Sequence, residues 1–260
     1  MKKYKLGFIG YGNMAKVIVG GILKSGILDK SQIAVSRLSD TAADGLFCTN
    51  DNGYVADNSE YLVLAVKPQI FKQIEFSCSA DCVISIMAGV DSKSISDKLG
   101  MDGRVIRVMP NTPSQIGKGA TAIANNALGD RYNDFCKRIF ESVGEVCFID
   151  EDKFDAVTCV SGSGPAYAYY FVKAMIDGGV ANGLDKATSK ALTLDTVIGA
   201  CEMIKANPDI PVGQLISNVC SKGGTTIEAI NVLEKNQLDK TVIDAMTACR
   251  KRSEELRQSK

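Results

Sequence analysis

Over residues 1–153, short apolar runs alternate with amphipathic stretches. Residues 4–9, 32–36, 61–66, 82–87, 104–108, 119–124 and 143–148 have the length, β-branched content and flanking turn residues of strands. Between them, residues 14–25 and 130–142 carry apolar side chains three and four positions apart, as helices that cross over a sheet do. This alternation predicts an α/β domain, residues 1–153, built on a mainly parallel, doubly wound sheet. From residue 154 to 260 the strand-like runs stop and helical patterns follow, at 166–181, 186–206, 212–220, 225–235 and 241–258. The breaks fall at residues 162–165, Gly183, Asn207-Pro208 and Lys222-Gly223-Gly224, so the second domain is expected to be all-α. Several of its helices are apolar over more than one face, as in Ala191-Leu192-Thr193-Leu194 with Val197-Ile198. A helical domain of this kind is expected to complete its core with a second subunit.

Composition narrows the chemistry. Thirty basic residues balance 30 acidic ones, which argues against nucleic acid or an anionic membrane as the main partner. The apolar stretch after Met1-Lys2-Lys3-Tyr4-Lys5 is too short for a signal segment or a membrane span, so a cytoplasmic location is expected. Nine cysteines lie scattered with no Cys-x-x-Cys pair, the pattern of reduced, mostly core thiols. The chain contains no histidine. That excludes serine-histidine triads, histidine-based hydroxyacid dehydrogenases and histidine-containing zinc hydrolases, and no metal site is expected.

The candidate chemistry begins at Gly10-Tyr11-Gly12-Asn13-Met14-Ala15, which follows the first strand and opens a helix. In that context Gly-x-Gly-x-x-Ala reads as a dinucleotide-binding turn. Gly10 permits the tight turn, Gly12 lets the backbone approach a pyrophosphate, and the small Ala15 lets helix and strand pack closely. The helix start at Asn13, Met14 and Ala15 offers free N–H groups and a positive dipole end. About twenty residues on, where an NAD enzyme carries an acid for the ribose 2′-hydroxyl, this chain has Ser36-Arg37-Leu38-Ser39. A guanidinium and hydroxyls suit a 2′-phosphate, which points to NADPH with NADH as the lesser choice, although Asp40 lies nearby. Strand carboxyl ends add Ala65-Val66-Lys67-Pro68, Ala88-Gly89 and, between two prolines, Asn111; Asn58 is also assigned to the cofactor.

For the substrate, Ser221-Lys222-Gly223-Gly224-Thr225-Thr226 brings two glycines, two threonine hydroxyls and a free helix start together, a combination suited to a carboxylate. A second small-residue segment, Ser161-Gly162-Ser163-Gly164-Pro165-Ala166-Tyr167, reads mainly as a helix start.

In this order the motifs resemble those of the pyrroline-5-carboxylate reductases over nearly the whole chain. The resemblance rests on Phe8-Ile9-Gly10-Tyr11-Gly12-Asn13-Met14, Ala65-Val66-Lys67-Pro68, Met109-Pro110-Asn111-Thr112-Pro113, residues 161–167 and Gly223-Gly224-Thr225-Thr226-Ile227. It implies an N-terminal Rossmann domain, a helical C-terminal dimerisation domain, homodimers that assemble further, as into a decamer, and reduction of a cyclic imino acid to L-proline. It also implies Ser221, Gly223, Gly224 and Thr225 as the carboxylate cradle and Thr226 as catalytic partner of the ring nitrogen. The family commonly has proline at the position of Lys222. An imine nitrogen can be protonated before hydride arrives, so such a reaction tolerates a chain without histidine. Three other readings stand beside this one. Tyr169-x-x-x-Lys173 imitates a short-chain dehydrogenase, Lys173 would be the acid/base of a β-hydroxyacid dehydrogenase, a class that uses a lysine following a Gly-Gly segment, and the fold alone would suit a non-catalytic dinucleotide sensor.

Overall fold

The computed structural model describes residues 2–38 and 44–258; Ser39 and Asp40 lie outside the described residues. Among those residues, one sheet contains β1 (Tyr4–Ile9), β2 (Ile33–Ser36), β3 (Phe47–Thr49), β4 (Ser59–Leu64), β5 (Cys82–Ser85), β6 (Val105–Met109), β7 (Gly119–Ala124) and β8 (Gly144–Ile149). Its order is β3-β2-β1-β4-β5-β6-β7-β8, parallel throughout except where β7 runs antiparallel to β6. Chain order reverses at β1, where Leu6 lies between Ile33 and Tyr61.

Each central strand is apolar on both faces, as a sheet covered on both sides requires. In β4, Tyr61 and Val63 face one layer and Leu62 and Leu64 the other. The first layer is closed by α1 (Asn13–Lys24), through Ile18 and Ile22, and by α5 (Asp130–Glu141), through Phe135, Ile139 and Phe140. The second is closed by α2 (Asn52–Asn58) and α4 (Ser92–Leu99), through Val55, Ile95 and Leu99, with Phe71 from α3 (Pro68–Gln73). Asp51 and Asp91 start α2 and α4 by accepting the N–H groups of Tyr54 (2.9 Å) and Ser94 (2.6 Å). The short β3 and the helices α2, α3 and α4 were not anticipated from periodicity. Each spans at most 8 residues, too few for a hydrophobic repeat to declare itself.

The chain folds as two compact units, one running to Pro165 and resuming at Ala248, the other Ala166–Thr247. The sequence places the division at residue 153, and packing draws it elsewhere. Phe154, in the short helix α6 (Phe154–Val157), is buried with Met109, Ala122 and Ala124, and the π-helical turn Thr158–Gly162 continues from it. Asp155 then accepts a hydrogen bond from Ser253 (2.7 Å) in the last helix.

The second unit is helical: α7 (Gly164–Ala181), α8 (Lys186–Ala206), α9 (Val212–Val219), α10 (Thr225–Lys235) and the first part of α11 (Leu238–Gln258). Gly179 lets α7 and α8 approach, because a Cβ there would meet Ser189 Oγ. No residue of α7, α9 or α10 is buried in the single chain, and Tyr170, Leu192, Ile198 and Ile243 are each more than half exposed.

The glycine in β1 offers a direct test of the packing. A Cβ on Gly7 would meet Ser59 Oγ and lie 2.8 Å from Val55 Cγ1, both in the sealed layer between sheet and α2. Gly7→Ala is expected to destabilise the protein by about 1–3 kcal/mol, read as an earlier midpoint in urea with an unchanged slope.

Candidate active site

The turn after β1 has the geometry a pyrophosphate needs. Gly10 adopts φ +91°, and a Cβ on it would lie 2.7 Å from Val66 Cγ1 and 2.9 Å from the Ala65 carbonyl oxygen. Gly12 is the reverse case: nothing lies within 4 Å of the Cβ it lacks, so its backbone faces open space. Gly12 is also the N-cap of α1, and having no side chain it leaves the N–H groups of the first turn without a side-chain acceptor. Ala15 is buried and Met14 packs against the core, so these two residues, with Asn13, can offer a ligand only what their backbone and the exposed Asn13 side chain supply.

Beside this turn lies a cavity of about 600 Å³, lined by Gly10, Tyr11, Gly12, Ser36, Arg37, Leu38, Asn50, Asn52, Val66, Lys67, Ile70 and Ile74. It brings together the glycine turn, the Ser36-Arg37 pair and the Val66-Lys67 segment that the sequence had proposed separately. Ser36 is buried and donates to Asn52 Oδ1 at 2.5 Å. Tyr11 donates to Asp44 Oδ2 (3.1 Å); burial, then this hydrogen bond, pushes its phenol up to about 12. Asn58 is a correction. It ends α2 just before β4, at the opposite end of the strands from the glycine turn, and its amide donates to the Tyr54 carbonyl (2.9 Å). The asparagines that line the cavity are Asn50, on the β3–α2 connection, and Asn52, the first residue of α2. Sequence reasoning missed them together with β3, whose pairing carries that connection back to the carboxyl edge through Arg37 N–H and Thr49 O (2.9 Å). An Asp-x-x-Tyr cap at residue 51 was the available signal.

The remaining residues fall on the carboxyl ends of β4, β5 and β6. Ala65 extends the ladder by donating to the Ile9 carbonyl (2.9 Å), and Lys67 precedes Pro68, the first residue of α3. Ala88 and Gly89 follow β5, with Gly89 at φ +71°. Asn111 is buried and uses both ends of its amide: Oδ1 accepts from Ala120 N–H (2.9 Å) and Nδ2 donates to the Ser161 carbonyl (3.0 Å). Its side chain thus ties the end of β6 to the π-helical turn, a form found frequently at functional sites.

In the second unit, residues 221–226 form one turn. Gly223 has φ +70°, the Gly224 N–H donates to the Ser221 carbonyl (3.0 Å), and a Cβ on Gly224 would meet Ser221 Oγ. Gly224 is the N-cap of α10, so no side chain covers the N–H groups at Thr225 and Thr226. Ser221, Thr225 and Thr226 are exposed in the single chain, as is Lys222. Lys173, the rival acid/base, is exposed and donates to Asp177 Oδ2 (2.6 Å) one turn along α7. That hydrogen bond raises its pKa, whereas acid/base work near neutrality requires a lysine lowered by burial.

The family model described as "Pyrroline-5-carboxylate reductase dimerisation" matches residues 151–256, and one described as "NADP oxidoreductase coenzyme F420-dependent" matches residues 5–89. Pyrroline-5-carboxylate reductase of a Synechocystis species is 40% identical over 97% of this chain and 98% of its own length. That of Escherichia coli is 38% identical over 98% and 99%. The crystal structure of Plasmodium falciparum pyrroline carboxylate reductase with NADP bound superposes with a TM-score of 0.88, at 33% identity and covering 99% of both chains. With similarity of this extent over both units, the chain belongs to the pyrroline-5-carboxylate reductase family.

Proposed function

We propose that this protein reduces L-1-pyrroline-5-carboxylate to L-proline, the last step of proline synthesis, with the α/β unit holding NADPH and the helical unit holding the substrate and the dimer contact. The observation that carries the reading is that one chain of this family presents two glycine turns, at Gly12 and Gly224, each opening a helix whose first N–H groups have no side-chain cap. The first suits a pyrophosphate and the second a carboxylate.

NADPH, when bound, supplies the hydride that adds to the imine carbon. The chain's own residues bind and orient. Asn13, Met14 and Ala15 meet the pyrophosphate with backbone N–H groups, and Ser36 and Arg37 hold the 2′-phosphate end. Ala65, Val66, Lys67, Pro68, Ala88, Gly89 and Asn111 line the edge along which the rest of the cofactor lies. Ser221, Gly223, Gly224 and Thr225 pin the substrate carboxylate, and Thr226 Oγ1 hydrogen-bonds the ring nitrogen. Because a protonated imine is already electrophilic, orientation supplies most of the catalysis. The exposed apolar faces of α7, α8 and α10 support a homodimer through these helices, and assembly of dimers into a decamer is part of the proposal. The scattered cysteines, with no Cys-x-x-Cys pair, favour the cytoplasm.

Mixing purified protein with pyrroline-5-carboxylate and NADPH is expected to remove the absorbance of the reduced nicotinamide and to yield proline. Turnover of β-hydroxyacids with the oxidised cofactor instead would select the Lys173 reading, and NADPH binding with no turnover of either would select the sensor. Thr226→Ala is expected to lower kcat roughly 10- to 100-fold, the worth of a hydrogen bond to a charged group, with a smaller change in KM. For Arg37→Ala, the KM for NADPH should rise by about the same factor while that for NADH changes little, since only the former carries a 2′-phosphate. Equal losses with the two cofactors would remove Arg37 from the phosphate site.

A further inference from the structure

Within the first unit, the turn after β5 is built against the far end of the chain. A Cβ placed on Gly89 would lie 3.8 Å from Leu256 Cβ and 3.9 Å from the Arg257 backbone nitrogen, ordinary van der Waals distances. These last turns of α11 are held by Asp155, whose carboxylate accepts from Ser253 Oγ (2.7 Å) and pairs with Arg257 Nη2 (2.9 Å). Asp155 is 7% exposed and Ser253 also 7%, so that hydrogen bond is buried, while Arg257 reaches Asp155 from the exposed side. The downstream side of the same turn is held by Glu151, which accepts the N–H of Ser92 (2.8 Å) and its hydroxyl. Glu151 in turn pairs with the buried Arg107 (3.5 Å), whose guanidinium lies 4.7 Å from the centre of the Phe154 ring. Burial draws the Arg107 guanidinium down, and Glu151, Asp155 and Asp91 oppose that, so these charges act as one cluster around the turn.

Sheet order decides what such a turn would support. With a pyrophosphate at the end of β1 and the 2′-phosphate end at β2, where Ser36 and Arg37 line the cavity, β4 and β5 are left for the nicotinamide half. The α11 brace meets the turn after β5, and none of its described residues is among those that line the cavity on the β2 side.

We propose that Asp155 and Arg257 are positioning residues for the nicotinamide half of the cofactor, setting the Ala88-Gly89 turn through the last turns of α11. The proposal rests on the NADPH reading above. A purely structural ion pair would change stability and weaken all ligands alike; a brace local to β5 discriminates between the two halves of the cofactor.

The test titrates the full-length protein with NADPH and with 2′,5′-ADP, which carries the 2′-phosphate end and lacks nicotinamide riboside, while the melting temperature of each variant is recorded. Arg257→Gln is expected to raise the Kd for NADPH about five- to tenfold and its KM in step, with 2′,5′-ADP affinity changed by less than about twofold. Arg257→Lys, which keeps the charge, should restore most of the NADPH affinity. Ser253→Ala removes one hydrogen bond with little change in volume, and should show the same selectivity at smaller amplitude if Asp155→Asn fails to fold. Equal weakening of both ligands, or unchanged NADPH binding in a folded Arg257→Gln protein, would overturn the proposal. Wild-type protein that binds 2′,5′-ADP and not NADPH would overturn it too, whereas wild-type protein that binds neither removes the cofactor reading beneath it.

Discussion

At Gly10 three strand ends meet in a space that admits no side chain. Its N–H donates to the Ser36 carbonyl of β2 (3.0 Å), while the missing Cβ would collide with Val66 Cγ1 and the Ala65 carbonyl beyond β4. The left-handed φ that turns the chain from β1 into α1 is therefore available only to glycine at this position. Around that steric constraint lie the point at which chain order reverses at β1, the open backbone at Gly12, and the cavity in which Ser36, Arg37, Val66 and Lys67 converge. The same edge carries Ala88, Gly89 and Asn111, because the strands from β3 to β6 run parallel and end together.

The second unit obeys a different constraint. Its helices α7, α9 and α10 bury no residue within the single chain, so their apolar faces cannot be explained by the fold of one subunit. A family model over residues 151–256 described by dimerisation accords with that exposure, since homo-oligomerisation covers apolar faces that a single chain leaves open. The chemistry is matched to this economy of parts. A histidine-free protein can reduce an imine that arrives protonated, because what remains to be provided is placement.

Legibility from sequence varied with range. Gly10-x-Gly12, the strand at residues 4–9, α8 at 186–206 and α10 at 225–235 were readable because each is written in a short stretch: a periodicity, a cap or a glycine where φ must be positive. Asn58 was misplaced because a residue six positions away from Asn52 looks equivalent in one dimension, whereas α2 carries them to opposite ends of β4. The second half of α11 was read as part of the helical domain. Nothing local in Ser253 or Arg257 reveals that their partner is Asp155, 98 residues earlier in the case of Ser253.

By itself, then, the sequence determined the glycine turns at Gly10-x-Gly12 and Gly223-Gly224, the absence of histidine chemistry and the succession of an α/β and a helical region, all properties of neighbours along the chain. Only the tertiary structure decided that β7 enters antiparallel to β6, that Asn50 and Asn52 line the cavity, that Asn111 ties β6 to the π-helical turn, and that the chain's last helix returns to the turn at Gly89. The physical reason is that each of these depends on which surfaces are buried together. Burial is settled by packing between segments far apart in the chain, where periodicity carries no information.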